Sequence, residues 1–224
     1  MIASWACPAN HGETASEFAL TLDSNRAHRL LIVPALFDEA NRLRRLTVEV
    51  IRRLDLAGID SFLPDLPGCN ESLQPLEQQS LADWQGAMLA AARHFRATHV
   101  LAVRGGALVV PQSLPGWRYA PVNGATILRQ MLRMRILAAR EAGREETQAS
   151  LLELDQTAGL ELAGYRLSPA MIAALQDATP PESSQSIIGQ DMLGGSPLWL
   201  RAEPDEDRAQ ADALAAVLAM GIKL

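Results

Sequence analysis

Strand-like apolar runs alternate with amphipathic helical segments along the first half of this chain. In order, they are a strand at 28–36, a helix at 38–57, a strand at 59–63, a helix at 80–96 and a strand at 98–103. Strands that alternate with helices are joined by right-handed crossovers, which make neighbouring strands parallel and place helices on both faces of the sheet. The sequence therefore predicts an α/β fold with a mainly parallel sheet, preceded by a short strand at 18–22.

Local signals mark the ends of several predicted helices. Ser80 and Asp83 have the spacing of a capping box, and Asp38 is a candidate cap for the first helix. Gly58 stands where a left-handed residue would end that helix. Ser168-Pro169 predicts a further helix start, because proline is tolerated at the first helical position.

The second half of the chain is less regular. We expect a strand at 117–122, a long helix at 125–142, a Pro/Ser-rich connection at 179–186, a late strand at 198–201, a terminal helix at 205–220 and the start of a final strand at 221–224. This pattern predicts a single domain with an α/β core at 1–123, a helical lid at 124–196 and completion of the core at 197–224.

Composition argues against several classes of protein. The formal net charge of −6 is unlike that of a nucleic-acid binder. Cys7 and Cys69 lie far apart, without the spacing of a zinc site or a disulfide framework. No uninterrupted apolar stretch reaches the length of a membrane span, and residues 1–17 lack the pattern of a signal peptide. We therefore expect a cytoplasmic protein without a membrane span, and no metal or cofactor is indicated.

Two turns and several longer stretches carry a resemblance to a known family. The turns are 34–39, after one predicted strand, and 65–72, which has a D-x-x-G-x-x-x-S pattern after the next. The other stretches are 38–42 with Arg45, 117–124, 128–135 and Ala163-Gly164-Tyr165-Arg166-Leu167-Ser168-Pro169. On these segments the chain resembles the α/β-hydrolases, and among them the second of two hydrolase-like families associated with the exosortase A system. The resemblance spans residues 18–220 and implies the α/β-hydrolase fold and a link to bacterial exopolysaccharide and protein-sorting loci.

In that fold, the segment 102–106 corresponds to the strand-to-helix turn that carries the nucleophile of a serine hydrolase. The usual pattern is G-x-S-x-G, whereas this segment reads Ala-Val-Arg-Gly-Gly with Arg104 in the serine position. A guanidinium stays protonated in proteins and cannot act as that nucleophile. The resemblance therefore implies a relative whose attacking atom is missing.

The general base of this fold follows the last strand, near the C-terminus. All histidines of the chain precede Arg104, and they are His11, His28, His94 and His99. Asp205, Glu206 and Asp207 stand where a triad acid would sit, but an acid without a base to orient has no catalytic role. We interpret these acids as favourable charge at the start of a helix, and His94 and His99 as surface positions or positions that the dipole at a helix end favours.

Arg104 itself is the main candidate for binding. At the start of a helix its guanidinium would lie beside the backbone N–H groups of Gly105 and Gly106, and further donors near Leu36 and Phe37 would complete a cradle for a small anion. A carboxylate or a phosphate would be the ligand of such a site.

The alternative is a structural Arg104 that pairs with a neighbouring acid such as Asp65 or Asp38. A similar choice concerns the arginines of the predicted lid helix. They form either an anion or partner site or a solvated face, and they are Arg129, Arg133, Arg135 and Arg140.

Cys69 is the only substitute nucleophile that the sequence suggests. It lies at the carboxyl edge of the predicted sheet, where ligands bind in open α/β folds, and a nearby cation would activate its thiol. A loop cysteine without a role is the alternative, and Ser72 is interpreted as a structural part of its turn.

Three functional hypotheses follow from the sequence. The first is a non-catalytic α/β-hydrolase relative that binds a small anionic ligand or a protein partner in exosortase-linked or exopolysaccharide processes. The second is an active esterase or thioesterase that uses Cys69. The third is a homodimer, formed through the lid, with a purely structural role.

Overall fold

The computed structural model describes residues 1–9, 13–201 and 203–223, with only the backbone of 154–158. The strands in these ranges are β1 Ile2–Pro8, β2 Thr14–Leu22, β3 Arg29–Val33, β4 Asp60–Pro64, β5 His99–Val103, β6 Gly116–Tyr119, β7 Leu160–Leu162, β8 Tyr165–Leu167 and β9 Ser186–Ile188. The α-helices are α1 Asp38–Leu56, α2 Leu81–His94, α3 Gly124–Glu141, α4 Gln148–Ala158, α5 Pro169–Asp177, α6 Gln190–Leu193 and α7 Arg208–Lys223. Short 3₁₀ helices lie at Leu76–Gln78, Arg104–Leu108 and Leu198–Leu200.

Seven strands form one sheet in the order β1-β2-β4-β3-β5-β6-β9. The β1-β2 and β2-β4 pairs are antiparallel, and every pair from β4 to β9 is parallel. All five residues of β3 are buried, as expected for a strand that helices cover on both faces. The predicted α/β fold with a mainly parallel sheet is therefore confirmed.

Alternation of side chains along the strands divides the core into two layers. On one face, Leu31 and Val33 of β3 belong to a cluster of buried apolar side chains that includes residues of α2, α3 and α5. On the other face, Leu30 and Ile32 pack with residues of α1 and α7. Burial of apolar side chains on both faces is the main favourable term in the stability of such a sheet.

Most of the predicted helix signals are present in the structure. Ser80 and Asp83 form the capping box of α2, and Ser168 caps α5 by accepting a hydrogen bond from the Met171 backbone. Gly58 follows α1 with a φ of 80°. The cap predicted for Asp38 is wrong, because Asp38 is the first residue of α1 and no side chain caps that helix.

The C-terminal quarter differs from the sequence-based prediction. The late strand expected at 198–201 is a 3₁₀ helix that follows Pro197, and the strand expected at 221–224 is the end of α7, described as far as Lys223. The last strand of the sheet is instead β9, at the end of the predicted connection 179–186. Three residues are too few to show a periodicity in sequence, and pairing with β6 makes them a strand.

The segment between β6 and β9 contains three helices and a small hairpin. Helices α3, α4 and α5 lie there, together with the antiparallel pair β7-β8. The predicted lid range of 124–196 therefore includes β9, which is a strand of the main sheet. In the described part of the chain, no helix has both the length and the apolar character that a membrane crossing requires.

Candidate functional site

The turn after β5 has a backbone conformation that non-glycine residues rarely adopt. Arg104 follows β5 directly, has a φ of 52° and begins the 3₁₀ helix Arg104–Leu108. The left-handed region costs a side-chain-bearing residue energy, so the surrounding fold must hold Arg104 there. β5 lies between β3 and β6 in the parallel part of the sheet. Position 104 thus occupies a sharp strand-to-helix turn at the carboxyl edge of that sheet.

Gly106 lets this turn approach the end of β3 closely. A Cβ atom on Gly106 would lie 2.4 Å from the Pro34 carbonyl oxygen and 2.8 Å from the Val33 carbonyl oxygen. Both contacts are to backbone atoms, which cannot rotate away. Glycine at this position is therefore a requirement of the backbone path.

The Arg104 side chain is held by α1. Its Nε donates to Glu39 Oε2 at 3.0 Å, its Nη2 donates to Glu39 Oε1 at 2.8 Å, and its Nη1 donates to the Ala120 carbonyl at 2.9 Å. The guanidinium also lies over the Trp199 ring, with Cζ 4.1 Å from the ring centroid. Arg104 and Glu39 are 8% and 4% exposed, so this bidentate ion pair is buried. All three guanidinium nitrogens therefore have protein partners.

Arg104 is paired with a neighbouring acid, but that acid is neither of the predicted partners. Asp65 instead accepts a hydrogen bond from Asn70 at 2.8 Å, and Asp38 pairs with Arg42 at 2.7 Å. Burial raises the pKa of the Asp65 carboxyl above its ordinary value, because the charged form is poorly solvated there.

The backbone donors predicted for an anion site are present but enclosed. Gly105, Gly106, Leu36 and Phe37 are all buried. A Cβ atom on Gly105 would lie 2.6 Å from Ile127 Cδ1 and 3.0 Å from Leu36 Cγ, so these two side chains pack directly onto the turn. Apolar side chains occupy the space beside the amides, and this geometry argues against the predicted anion site.

The described histidines lie far from Arg104. His28 precedes β3 and His99 begins β5, so both are at the amino edge of the sheet. His99 and Arg104 are five positions apart along an extended strand, a distance of about 16 Å. His94 ends α2 and packs beside the Trp5 ring. His11 lies outside the described residues.

The three acids after residue 204 have structural partners. Asp205 pairs with Arg201, and Glu206 pairs with Arg45. Asp207 accepts a hydrogen bond from the Gln210 backbone at 3.1 Å, one residue before α7 begins. These contacts fit the interpretation as charge at a helix start.

Cys69 lines a small pocket that is formed in part by the residues that follow β3 and β4. The pocket offers about 10 Å³, roughly the space that one water molecule needs, and its lining includes Phe37, Leu66 and Tyr165. Burial raises the pKa of the Cys69 thiol to about 12, and the nearby carboxyls of Asp65 and Glu17 act in the same direction. A nearby cation would activate a thiol, whereas the charged groups that act on Cys69 are carboxyls.

We expect Cys69 to react very slowly with thiol reagents in the folded protein. A rise of the pKa from 9.0 to about 12 lowers the thiolate fraction at pH 8 by about a thousandfold. The same holds for Cys7, whose burial also raises the pKa to about 12. The measurement is the rate of release of nitrothiobenzoate from Ellman's reagent, with the urea-unfolded chain as the control. One thiol that reacts at the unfolded rate would contradict the expected burial.

Ser72 is structural, as the sequence indicated. Its Oγ donates to Glu17 Oε1 at 2.8 Å and accepts a hydrogen bond from the Gly68 backbone at 2.8 Å. These contacts tie the loop after β4 to β2. Within the described ranges, no cluster of three His, Cys, Asp or Glu side chains is placed to hold a metal ion.

Two residues of the Arg104 site were missed by sequence reasoning. Glu39 belongs to a turn that the resemblance singled out, but the acids considered as partners were Asp38 and Asp65. Trp199 fell in a predicted strand, whereas the 3₁₀ helix places its ring under the guanidinium. A buried position for an arginine is itself a signal that a carboxylate lies near, although it does not identify which one.

Solved structures of similar shape identify the class of fold. The chain is similar to alpha/beta hydrolase domain-containing protein 10 from mouse, with 13% identity, coverage of 99% of this chain and 98% of that chain, and a TM-score of 0.54. It is also similar to Est1E from Butyrivibrio proteoclasticus, solved with ferulic acid bound, with 14% identity, coverage of 82% and 76%, and a TM-score of 0.53. A putative hydrolase from Agrobacterium vitis S4 matches with 15% identity over 63% of this chain and 61% of that chain, at a TM-score of 0.46.

The first two of these likenesses, together with the order and direction of the strands, show that the chain has the α/β-hydrolase fold. At this level of identity they show the fold alone. No protein-family model and no curated protein matches the sequence.

Proposed function

We propose that this chain is a non-hydrolytic protein of the α/β-hydrolase fold that acts by binding a protein partner. The observation that carries the proposal is the buried pair of Arg104 and Glu39 at the turn where a serine hydrolase holds its nucleophile. Hydrolysis by this fold needs an attacking oxygen or sulfur with a base in hydrogen-bonding range. Arg104 provides neither group, because its guanidinium is protonated and each of its nitrogens donates to a protein oxygen.

The packing of side chains above the Arg104 turn supports a binding role that does not use the space at this turn. Leu36 and Ile127 fill the space beside the Gly105 amide, so a substrate acyl group has no room there without a rearrangement of the lid helix α3. The same packing favours a protein partner over a small anion at Arg104. A partner would then use the outer surface of the fold.

The proposed link to exosortase A and exopolysaccharide systems rests on the family resemblance. Its most specific segment, Ala163–Pro169, covers β8 and its junction with α5. Deleting the gene and measuring exopolysaccharide yield and the sorting of surface proteins tests this link. Unchanged yield and sorting would remove it without affecting the non-hydrolytic assignment.

We expect no turnover of esters or thioesters above the buffer rate. The test is a panel of p-nitrophenyl esters of increasing acyl length with acyl-CoA thioesters, in which an active esterase serves as the positive control. A fluorophosphonate probe should likewise leave the folded chain unlabelled, because no activated serine lies at the turn.

The variant Cys69→Ala separates this proposal from its rival. The alternative function is an esterase or thioesterase with Cys69 as nucleophile, and it predicts turnover that Cys69→Ala abolishes. The raised pKa of the Cys69 thiol speaks against that alternative. Turnover that is present in the unmodified chain and absent from Cys69→Ala would overturn the non-hydrolytic proposal.

A further inference from the structure

The helix α3 has two faces of different character. Its buried residues lie on one side, against α5 and the core, and they are Gly124, Ile127, Leu128, Met131, Leu132 and Ala139. At about 100° per residue, the positions 129, 133 and 140 fall within about 40° of one another on the opposite side. We call the exposed row of Arg129, Arg133 and Arg140 the α3 arginine row.

The side chains of this row have no partner in the described part of the chain. All three arginines are exposed, and none of them donates a hydrogen bond or forms an ion pair with a described residue. Arg135 differs, because it lies on another face and pairs with Glu146 at 2.7 Å. The only acid in α3 is Glu141, its last residue.

Such a row is unusual in this protein because the chain as a whole is acidic. The formal net charge is −6, yet α3 carries four arginines and one acid. Like charges three and four residues apart on a helix repel one another, so the row lowers the stability of the free helix slightly. A partner with negative charge would remove that repulsion, and the net negative charge of the rest of the chain would disfavour its binding elsewhere.

We propose that the α3 arginine row binds an acidic segment of a protein partner. The inference deepens the proposed partner-binding function and rests on it. Arg129 and Arg133 are about 6 Å apart along the helix axis, which is close to the spacing of alternate side chains in an extended peptide. An extended segment with carboxylates at alternate positions therefore matches Arg129 and Arg133, and arginine can form bidentate hydrogen bonds with a carboxylate.

The composition of this face favours a protein segment over an anionic membrane. A helix that lies on a bilayer inserts a broad apolar face, and the apolar face of α3 is buried in the core. Leu137 is the only large apolar side chain of α3 that is strongly exposed, at 59%. One apolar contact beside several arginines is typical of a protein interface.

Charge reversal provides the test. The variant R129E/R133E/R140E removes the row, and R93E/R166E/R208E is the matched control because it reverses three other exposed arginines without described partners. The probe is a fluorescein-labelled peptide of about 12 residues that alternates Glu and Ser, and its Gln-Ser counterpart reports the need for charge. Fluorescence anisotropy at low and at physiological salt gives the affinities.

We expect the row variant to lose at least about tenfold in affinity for the Glu-Ser peptide, while the control changes by less than about threefold. The Gln-Ser peptide should not bind, and higher salt should weaken binding. Equal losses in the two variants would overturn the proposal. Binding of the row to phosphatidylserine vesicles or to alginate, without binding of the peptide, would also overturn it. A dimer that light scattering detects and that buries the row would overturn it as well.

Circular dichroism of both variants controls for folding. The peptide measurement is independent of ester turnover. A chain that hydrolyses esters and binds the peptide would contradict the proposed function alone, and a chain that does neither would contradict the arginine row alone.

Discussion

Replacing Glu39 by alanine should lower the free energy of unfolding by about 3–5 kcal/mol. The substitution leaves the Arg104 guanidinium buried with the Ala120 carbonyl and the Trp199 ring as its remaining partners. A buried charge without a counterion is poorly solvated, and the folded state bears that cost. Urea unfolding monitored by circular dichroism measures the loss.

A double variant separates the ion pair from the packing around it. Glu39→Leu with Arg104→Met removes both charges and keeps most of the volume, and such replacements are often neutral or stabilising. We therefore expect the double variant to be far more stable than Glu39→Ala. Asp212→Ala, which breaks an exposed pair with Arg53, is the surface control and should have a much smaller effect. A loss in Glu39→Ala no larger than in that control would contradict a buried, uncompensated Arg104.

Gly106→Ala should destabilise the fold by about 3 kcal/mol, at the upper end of the range for overpacked positions. The added methyl group would meet the carbonyl oxygens of Pro34 and Val33 at 2.4 and 2.8 Å. Relief requires β3 and the Arg104 turn to separate, and both are buried backbone segments. The midpoint of urea unfolding reports the effect.

Gly86→Ala is the matched glycine control. Gly86 lies inside α2, and a Cβ atom there meets nothing within 4 Å. Alanine is the better helix former, so this variant should gain about 0.5–1 kcal/mol. If Gly106→Ala also stabilised the protein, the close approach of the turn to β3 would be wrong.

Both substitutions examine the turn on which the functional proposal depends. Glu39→Ala tests how Arg104 is held, and Gly106→Ala tests whether the backbone takes the sharp path that positions it. Neither result depends on catalysis. The assignment of position 104 to the turn can therefore be verified even when the proposed protein partner is unidentified.

At the Arg104 turn, the sequence predicted the backbone conformation but not the partner of the side chain. The glycines at 105 and 106 after a buried strand indicated a sharp turn, and the structure has one there with Arg104 at a φ of 52°. The arginine type alone excluded a nucleophile, because its charge is a property of the residue. The choice between an anion site and a structural arginine stayed open, since it depends on which acid lies within reach.

Only the tertiary structure decided that choice. Glu39 is 65 positions from Arg104 in the chain, and the parallel pairing of β3 with β5 brings the start of α1 beside the turn. The same pairing lets Leu36 cover the Gly105 amide, and the position of α3 adds Ile127.

What the sequence determined by itself was local or periodic: the alternation of strands and helices, the caps at Ser80 and Ser168, and the charge of Arg104. What the tertiary structure decided was long-range: the partner of Arg104, the filled space above the turn and the last strand, β9. The physical reason is that propensity and hydrophobic period act over a few neighbouring residues. An ion pair or a packing contact depends on where distant segments meet.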